Sequence, residues 1–342
     1  MRAAIYDAFG EPIYVRTVAD PEVGEGDVLV RVRATGICRS DWHGWRGHDA
    51  DIRTLPHVPG HEFAGEIEVV GAAVDGWVRG DRVTVPFVAG CGSCEPCLRG
   101  DLQVCDAQSQ PGFTHWGSFA ELVVVRYAQH NLVRLPDALD YADAAVLGCR
   151  FTTAYRAVVH QGRAVAGESV VVYGCGGVGL SAVMVAAAHG AHVVAVDVNP
   201  AALVLAEEVG ADVLITSSPE VVGEVIAATS GGADLSIDAI GSGDVLAQSM
   251  ASLRKRGRHV QVGLVTGEQP IDLGRVIGAE LEIIGSHGMP APAFGELIGL
   301  IAAGRVDPGR LITRRCSLRE GAELLASFDR SVAAGITIVE SF

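Results

Sequence analysis

Val28, Val30 and Val32 alternate with Leu29, Arg31 and Arg33 along positions 28–33, a row of valines on one side and two arginines on the other. That is the period of a strand with one buried face. Similar short segments, broken by glycine and proline in stretches such as "DPEVGEGDV" and "VRGDRV", continue to about position 149 and predict a β-rich domain. The texture changes after about position 151. "SVVVYG" predicts a strand, "VGLSAVMVAAAH" a helix closed by Gly190, and "HVVAVD" the next strand; a helix over about 200–209 then runs until Gly210 stops it. "DVLI", "ADLSIDAI", "RHVQVGLV" and "LEIIG" supply further strands, with helical stretches around 220–229 and 245–253. Parallel strands joined by helices on both faces are the economical arrangement for this alternation. From about position 290 come two amphipathic helices and a short closing strand, "GITIVE", which composition alone assigns to neither half. The expected fold class is α/β, a β-rich domain plus a doubly wound parallel sheet, with boundaries at 1–150, 151–288 and 289–342.

Composition narrows the function classes. A chain of 342 residues with 49% hydrophobic and 20% charged positions can bury a core in each of two domains. Its formal charge of -15 offers no basic footprint, so nucleic acid and anionic membrane are poor partners. The apolar stretch at 170–198 is interrupted by glycines and by His189 and His192, which reads as strand, turn, helix and strand and not as a membrane span. The first residues show no charged-then-apolar export signal, and eight cysteines without one point to a reducing, cytoplasmic setting where thiolates hold metal.

"YGCGGVG" places Gly174, Gly176 and Gly179 in the G-x-G-x-x-G arrangement, between a predicted strand and a predicted helix. Such a loop turns tightly and lets backbone approach a pyrophosphate at the helix N-terminus. Asp197 closes the next strand, where a carboxylate can accept from the ribose hydroxyls of a dinucleotide and would repel a 2'-phosphate. No lysine or arginine follows in "VNPAALVLA", so NAD is expected over NADP.

"CGSCEPCLRGDLQVC" spaces Cys91, Cys94, Cys97 and Cys105 as C-x2-C-x2-C-x7-C. Four thiolates from one short loop can wrap a zinc ion tetrahedrally and leave no position for substrate, which makes the expected site structural. Cys38, His61 and Cys149 suit a second, catalytic zinc, but they stand too far apart in sequence for spacing to assemble them.

The motifs together resemble the zinc-dependent alcohol dehydrogenases of the medium-chain dehydrogenase/reductase superfamily over nearly the whole chain. "GICRSDWHG", "GHEFAGEIEVVGAAV", the four-cysteine loop, "LGCRFTTAY" and "YGCGGVG" carry the resemblance in the family's order. It implies that the β-rich half is a GroES-like catalytic domain, completed by the C-terminal segment, beside a Rossmann domain. It implies two zinc ions per chain, with Cys38, His61 and Cys149 holding the catalytic one and an open fourth position for water or alcohol. Asp41 would orient His61, and Glu62 resembles the family's carboxylate that can approach the metal. Ser40 and then His43 would carry the alcohol proton outward while the hydride goes to NAD; His48 is the alternative to His43. Thr153, Gly174, Gly176, Gly177, Val178, Gly179, Asp197, Asn199, Val262 and Ser286 are the residues expected to line the cofactor.

Phe87 matches a substrate-pocket aromatic of the family, and Trp116, Leu264, Trp42 and Trp45 are candidate walls that favour apolar alcohols, aldehydes or ketones over sugars. Arg150 departs from the family's usual glycine, either to select an anionic substrate or to pair with a carboxylate. Ala202 replaces a lysine common near the adenosine, an expected cost to NAD affinity. Cys175 and Cys316 are left as buried thiols, and His57, His115 and His130 have no assigned partner. The resemblance further implies a homodimer or homotetramer formed largely by the dinucleotide domains. Two alternatives are disfavoured. A zinc-free quinone or enoyl reductase does not need Cys38, His61 and the four-cysteine loop, and a noncatalytic dinucleotide-binding zinc protein has no use for Ser40 and His43 beside an open metal site.

Overall fold

The alternation at 28–33 belongs to a ten-residue strand, Val28–Ile37, in the computed structural model of the chain, which describes residues 1–265, 267–329 and 334–342. Val28, Val30 and Val32 are buried as their period requires, and Arg31 and Arg33 reach outward. Leu29 is buried as well, because Leu122 and Val124 of the neighbouring strand Leu122–Val125 cover that part of the second face.

Among the described residues the chain divides into two compact units. The first comprises Met1–Thr152, Gly288–Gly299 and Ile312–Phe342. Its main sheet has seven strands; Val28–Ile37 pairs antiparallel with Phe63–Val70, with Leu122–Val125 and with the returning C-terminal strand Ile336–Ser341. The register Thr337↔Ile37 and Val339↔Thr35 pins the end of the chain next to the residue that precedes Cys38.

The second unit comprises Thr153–His287 and Leu300–Leu311. Six strands, Ser169–Tyr173, His192–Asp197, Val213–Thr216, Ala233–Asp238, Leu253–Gln261 and Glu282–Gly285, all pair in parallel. Numbered by chain order within this sheet, their spatial order is 3-2-1-4-5-6, the doubly wound arrangement whose carboxyl-end switch point takes a ligand. The core here is built from Val171, Tyr173, Val194, Val196, Ile215 and Leu253 with the helices that cover them.

Three features lay outside the sequence periodicity. The strand at 253–261 begins five residues before "RHVQVGLV", a helix Leu273–Ala279 occupies a stretch read as connection, and a seven-residue helix, Arg39–Trp45, replaces the expected turn after Cys38. The closing segment is shared between the units, since Arg305 and Arg310 reach the carbonyls of Ala188 and Glu208 at the ends of the helices Gly177–Ala188 and Pro200–Glu208.

Candidate active site and metal centres

Cys38 caps the helix Arg39–Trp45 at the end of a strand, His61 lies two residues before the strand Phe63–Val70, and Cys149 immediately precedes the helix Arg150–Tyr155. Strand pairing draws these three points together. All three residues are buried, and their donor atoms lie within 4.8 Å of one another. Asp41 organises the group: Cys38 N donates to Oδ2 at 3.0 Å, while His61 Nδ1 at 2.7 Å and Gly60 N at 3.1 Å both donate to Oδ1.

A carboxylate only accepts, so His61 carries a proton on Nδ1, which leaves Nε2 as the ring atom that can ligate a metal once it is unprotonated. That Nε2 is buried and has no protein hydrogen-bond partner, an arrangement that costs free energy unless a ligand completes it. The two sulfurs act on one another as a pair. Cys38 is held well below the usual thiol range, chiefly by its hydrogen bond with Cys149, and Cys149 is pushed well above it by that same neighbour. Two sulfurs and one imidazole nitrogen, converging from separate segments, fit a zinc ion with a position to spare. The rings of Phe87 and Phe113 stand 5.9 and 5.1 Å from the His61 ring and make the surroundings apolar. Phe113 had no sequence signal.

Glu62 and Arg150 form a fully buried pair. Arg150 N donates to Glu62 Oε1 at 2.8 Å, Arg150 Nε donates to Oε2 at 2.7 Å, and Nη2 bonds the same oxygen. Of the two roles open to Arg150, the structure has it on a carboxylate. Ser40 lies close by, its Oγ 3.8 Å from Cys38 Sγ. His43 follows three residues later on the same short helix, where i and i+3 side chains are neighbours. Its Nδ1 is 3.1 Å from Nδ1 of His48, so the two histidines that sequence treated as rivals are hydrogen-bonded. Trp42 sets its edge against both rings.

The four cysteines also converge, with Sγ atoms of Cys91, Cys94, Cys97 and Cys105 within 4.8 Å of one another and all of them free of disulfides. Backbone N–H groups point at the sulfurs: Cys94 N donates to Cys91 Sγ at 3.4 Å, and Cys91 N and Ala107 N donate to Cys105 Sγ at 3.2 and 3.3 Å. Such donors stabilise thiolate charge, and four sulfurs in a closed shell fit a structural zinc. Bonds from Ser93 and Cys94 bring Cys91 down to about 6.

In the parallel-sheet unit the glycine loop follows strand Ser169–Tyr173 and opens helix Gly177–Ala188, at the switch point of the sheet. Two of its glycines are required by the protein itself. Gly174 has φ +93°, and a Cβ on Gly179 would collide with the Gly174 carbonyl. Gly176 differs, since a Cβ there would meet nothing within 4 Å. Its open space at a helix N-terminus fits a bound phosphate, the cradle expected for a dinucleotide. Asp197 accepts from Cys175 N at 2.6 Å and Asn199 N at 2.8 Å, which draws its carboxylate onto the loop. Asn199 caps the next helix through Ala201 N at 3.0 Å. Gly177 and Val178 form the helix's first turn, Val262 bonds Asp238 O through its backbone, and the hydroxyls of Thr153 and Ser286 are buried without a protein partner.

Other candidates have structural explanations. Trp45 is buried with its indole N–H on Glu11 O at 2.7 Å, Trp116 donates to Pro56 O at 3.0 Å, and Leu264 is largely exposed. His57 is buried with Nε2 2.9 Å from Gly112 O, His115 bonds Val124 O at 3.0 Å, and His130 lies against Gly92 in the four-cysteine loop. Ala202 is buried in its helix, and Cys175 and Cys316 are buried thiols raised to about 12 and about 11, each chiefly by burial. Among the described residues no helix is long and apolar enough to cross a membrane.

Residues 24–137 match the family described as the alcohol dehydrogenase GroES-like domain, and residues 177–303 match the zinc-binding dehydrogenase family. An alcohol dehydrogenase of Geobacillus stearothermophilus is 35% identical over 307 residues, 90% of each chain. An NAD-dependent alcohol dehydrogenase of Sulfolobus acidocaldarius is 33% identical over 349 aligned positions, 99% of each chain. Among solved structures, an alcohol dehydrogenase from Thermus sp. ATN1 superposes with a TM-score of 0.91 at 31% identity, covering 100% of both chains.

Proposed function

Since the chain belongs to the zinc-binding dehydrogenase family with an alcohol dehydrogenase GroES-like domain, we propose that it transfers a hydride between a primary or secondary alcohol and NAD, or reduces the corresponding aldehyde or ketone. The observation that carries this reading is the buried, unpartnered Nε2 of His61 beside two sulfurs, with the opposite ring nitrogen fixed by Asp41.

When bound, zinc supplies Lewis-acid polarisation of the substrate oxygen and NAD supplies the hydride acceptor. Cys38, His61 and Cys149 hold the ion, and Asp41 orients both the imidazole and the Cys38 turn. Phe87 and Phe113 exclude water and favour apolar substrates. The Ser40 hydroxyl, beside Cys38, accepts the alcohol proton as it passes its own toward His43, and His43, hydrogen-bonded to His48, carries a proton on toward solvent. Glu62 stands one residue from His61 as the neighbouring carboxylate, held by Arg150. Cys91, Cys94, Cys97 and Cys105 hold the structural zinc that rigidifies their loop.

The glycine loop from Gly174 to Gly179 receives the pyrophosphate on the backbone of Gly176, Gly177 and Val178. Asp197, with Asn199 shaping the loop beside it, accepts from the ribose and disfavours NADP. Thr153 and Ser286, whose hydroxyls are buried without a protein partner, and Val262 would hold the nicotinamide end. Self-association as a dimer or tetramer is supported by the exposed side chains of Leu273 and Ile277 on the helix Leu273–Ala279. A reducing, cytoplasmic setting is supported by eight free cysteines.

The test is an absorbance screen for NADH formation across aliphatic, aromatic, polyol and carboxylated alcohols, beside metal analysis. NADH formation and two zinc ions per chain are expected. A single zinc per chain, or no NADH from any class of alcohol, overturns the proposal.

A further inference from the structure

We propose that Arg150 and Glu62 form a clasp that sets how long the three-ligand site retains its metal; the inference rests on the reading of Cys38, His61 and Cys149 as zinc ligands. Each member of the clasp is a chain neighbour of a ligand. Glu62 follows His61 and Arg150 follows Cys149, while the third partner, the carbonyl of Ile37, precedes Cys38 and accepts from Arg150 Nη1 at 3.0 Å. One guanidinium therefore ties together the three segments that deliver the three donor atoms, although Glu62 and Arg150 are 88 positions apart in the chain.

The fold reserves space for this pair. Gly36 lies beside it, and a Cβ at that position would collide with both Glu62 Oε2 and Arg150 Nη2. The Glu62 backbone carbonyl is anchored to the same strand end, accepting from Gly36 N at 2.8 Å and Thr35 Oγ1 at 3.1 Å. Arg150 is shut from solvent and all its described bonds go to Glu62 and Ile37, so it has no exposed face for substrate. A planar fork with fixed donors suits such a crosslink, and lysine cannot reproduce it. Ligands held by a rigid surround release metal slowly, and losing an outer partner of a ligand typically changes metal affinity by about 10–100-fold. Arg150 and Glu62 act here as positioning residues through the ligands beside them.

Zinc release from the purified full-length protein into excess chelator, followed with a metallochromic dye, tests the clasp without turnover. The wild type is expected to release zinc in two phases, and Cys149→Ser identifies the three-ligand phase as the one that disappears. Arg150→Met and Gly36→Ala are each expected to accelerate that phase about 10–100-fold and leave the four-cysteine phase unchanged, with Arg150→Lys in between. Gly36→Ala keeps both charges, so it carries the test where Arg150→Met does not fold. Two wild-type phases with an unaltered three-ligand phase in Gly36→Ala and Arg150→Lys overturn the clasp alone, as does equal acceleration of both phases. A wild type that lacks the phase sensitive to Cys149→Ser overturns the zinc assignment itself.

Discussion

Asp41 Oδ1 accepts from His61 Nδ1 at 2.7 Å while its Oδ2 accepts from Cys38 N at 3.0 Å, so one buried carboxylate orients two of the three donors of the candidate catalytic centre. Asp41→Asn keeps the size and shape but brings an amide N–H₂ against a backbone or ring N–H, whichever way it is turned. The expected outcome is about 10–100-fold weaker zinc affinity at this site alone. Chelator competition on the variant checks it, with the four-cysteine zinc as internal reference; equal affinity in variant and parent would count against the role of Asp41.

The glycine loop separates a folding requirement from a binding one. At Gly179 an added methyl meets the Gly174 carbonyl, so Gly179→Ala is expected to destabilise the fold by about 1–3 kcal/mol. At Gly176 the backbone is extended with φ -76°, and a methyl meets no protein atom. Gly176→Ala is therefore expected to melt close to the parent yet bind NAD at least about tenfold more weakly, because the methyl sits where the pyrophosphate approaches. Thermal melts and calorimetric titration of both variants decide it, and undiminished NAD affinity in Gly176→Ala would remove the phosphate cradle.

His43 is held below the ordinary histidine value of 6.5, first by burial and then by the charges of His48 and Arg39, with Cys38 and Asp49 opposing. A relay base accepts a proton only when neutral, so the lowered value keeps it competent into mildly acidic solution. Alcohol oxidation is expected to fail on an acid limb below 6.5. His48→Gln removes a neighbouring positive charge and should move that limb upward, toward 6.5. Ser40→Ala should keep both metals and bind NAD while losing most turnover. A limb that stays put in both His43→Gln and His48→Gln would exclude this route.

His115 is brought down to about 4, chiefly by burial. The unfolded chain protonates this ring near 6.5 and the folded chain only near 4, so between those values the unfolded state binds more protons. Stability from this group is complete above 6.5 and is lost as pH falls toward 4, by about 3 kcal/mol at most. His57, His259 and His287, also lowered by burial, act in the same direction. Urea midpoints measured from about pH 7 to about pH 4 should therefore fall less steeply in His115→Gln than in the parent. Parallel curves would show that His115 is not neutral in the folded chain.

What the sequence by itself determined is what a short piece of chain can do alone. Four cysteines between positions 91 and 105 can wrap one ion, and a strand, a glycine loop and a helix between 169 and 188 carry their own geometry, because closing so few residues costs little and the pattern is local. The alternation at Val28, Val30 and Val32 was legible for the same reason, and Leu29 escaped it because a neighbouring strand covers its face. The ligand set Cys38, His61 and Cys149 came from family resemblance and not from spacing. Only the tertiary structure decided how Arg150 and Glu62, 88 residues apart, meet; it also decided that Phe113 lines the His61 site and that His43 and His48 share a hydrogen bond. Such contacts are made by strand pairing and packing among distant segments, and a linear pattern carries no term for which distant side chains a fold will press together.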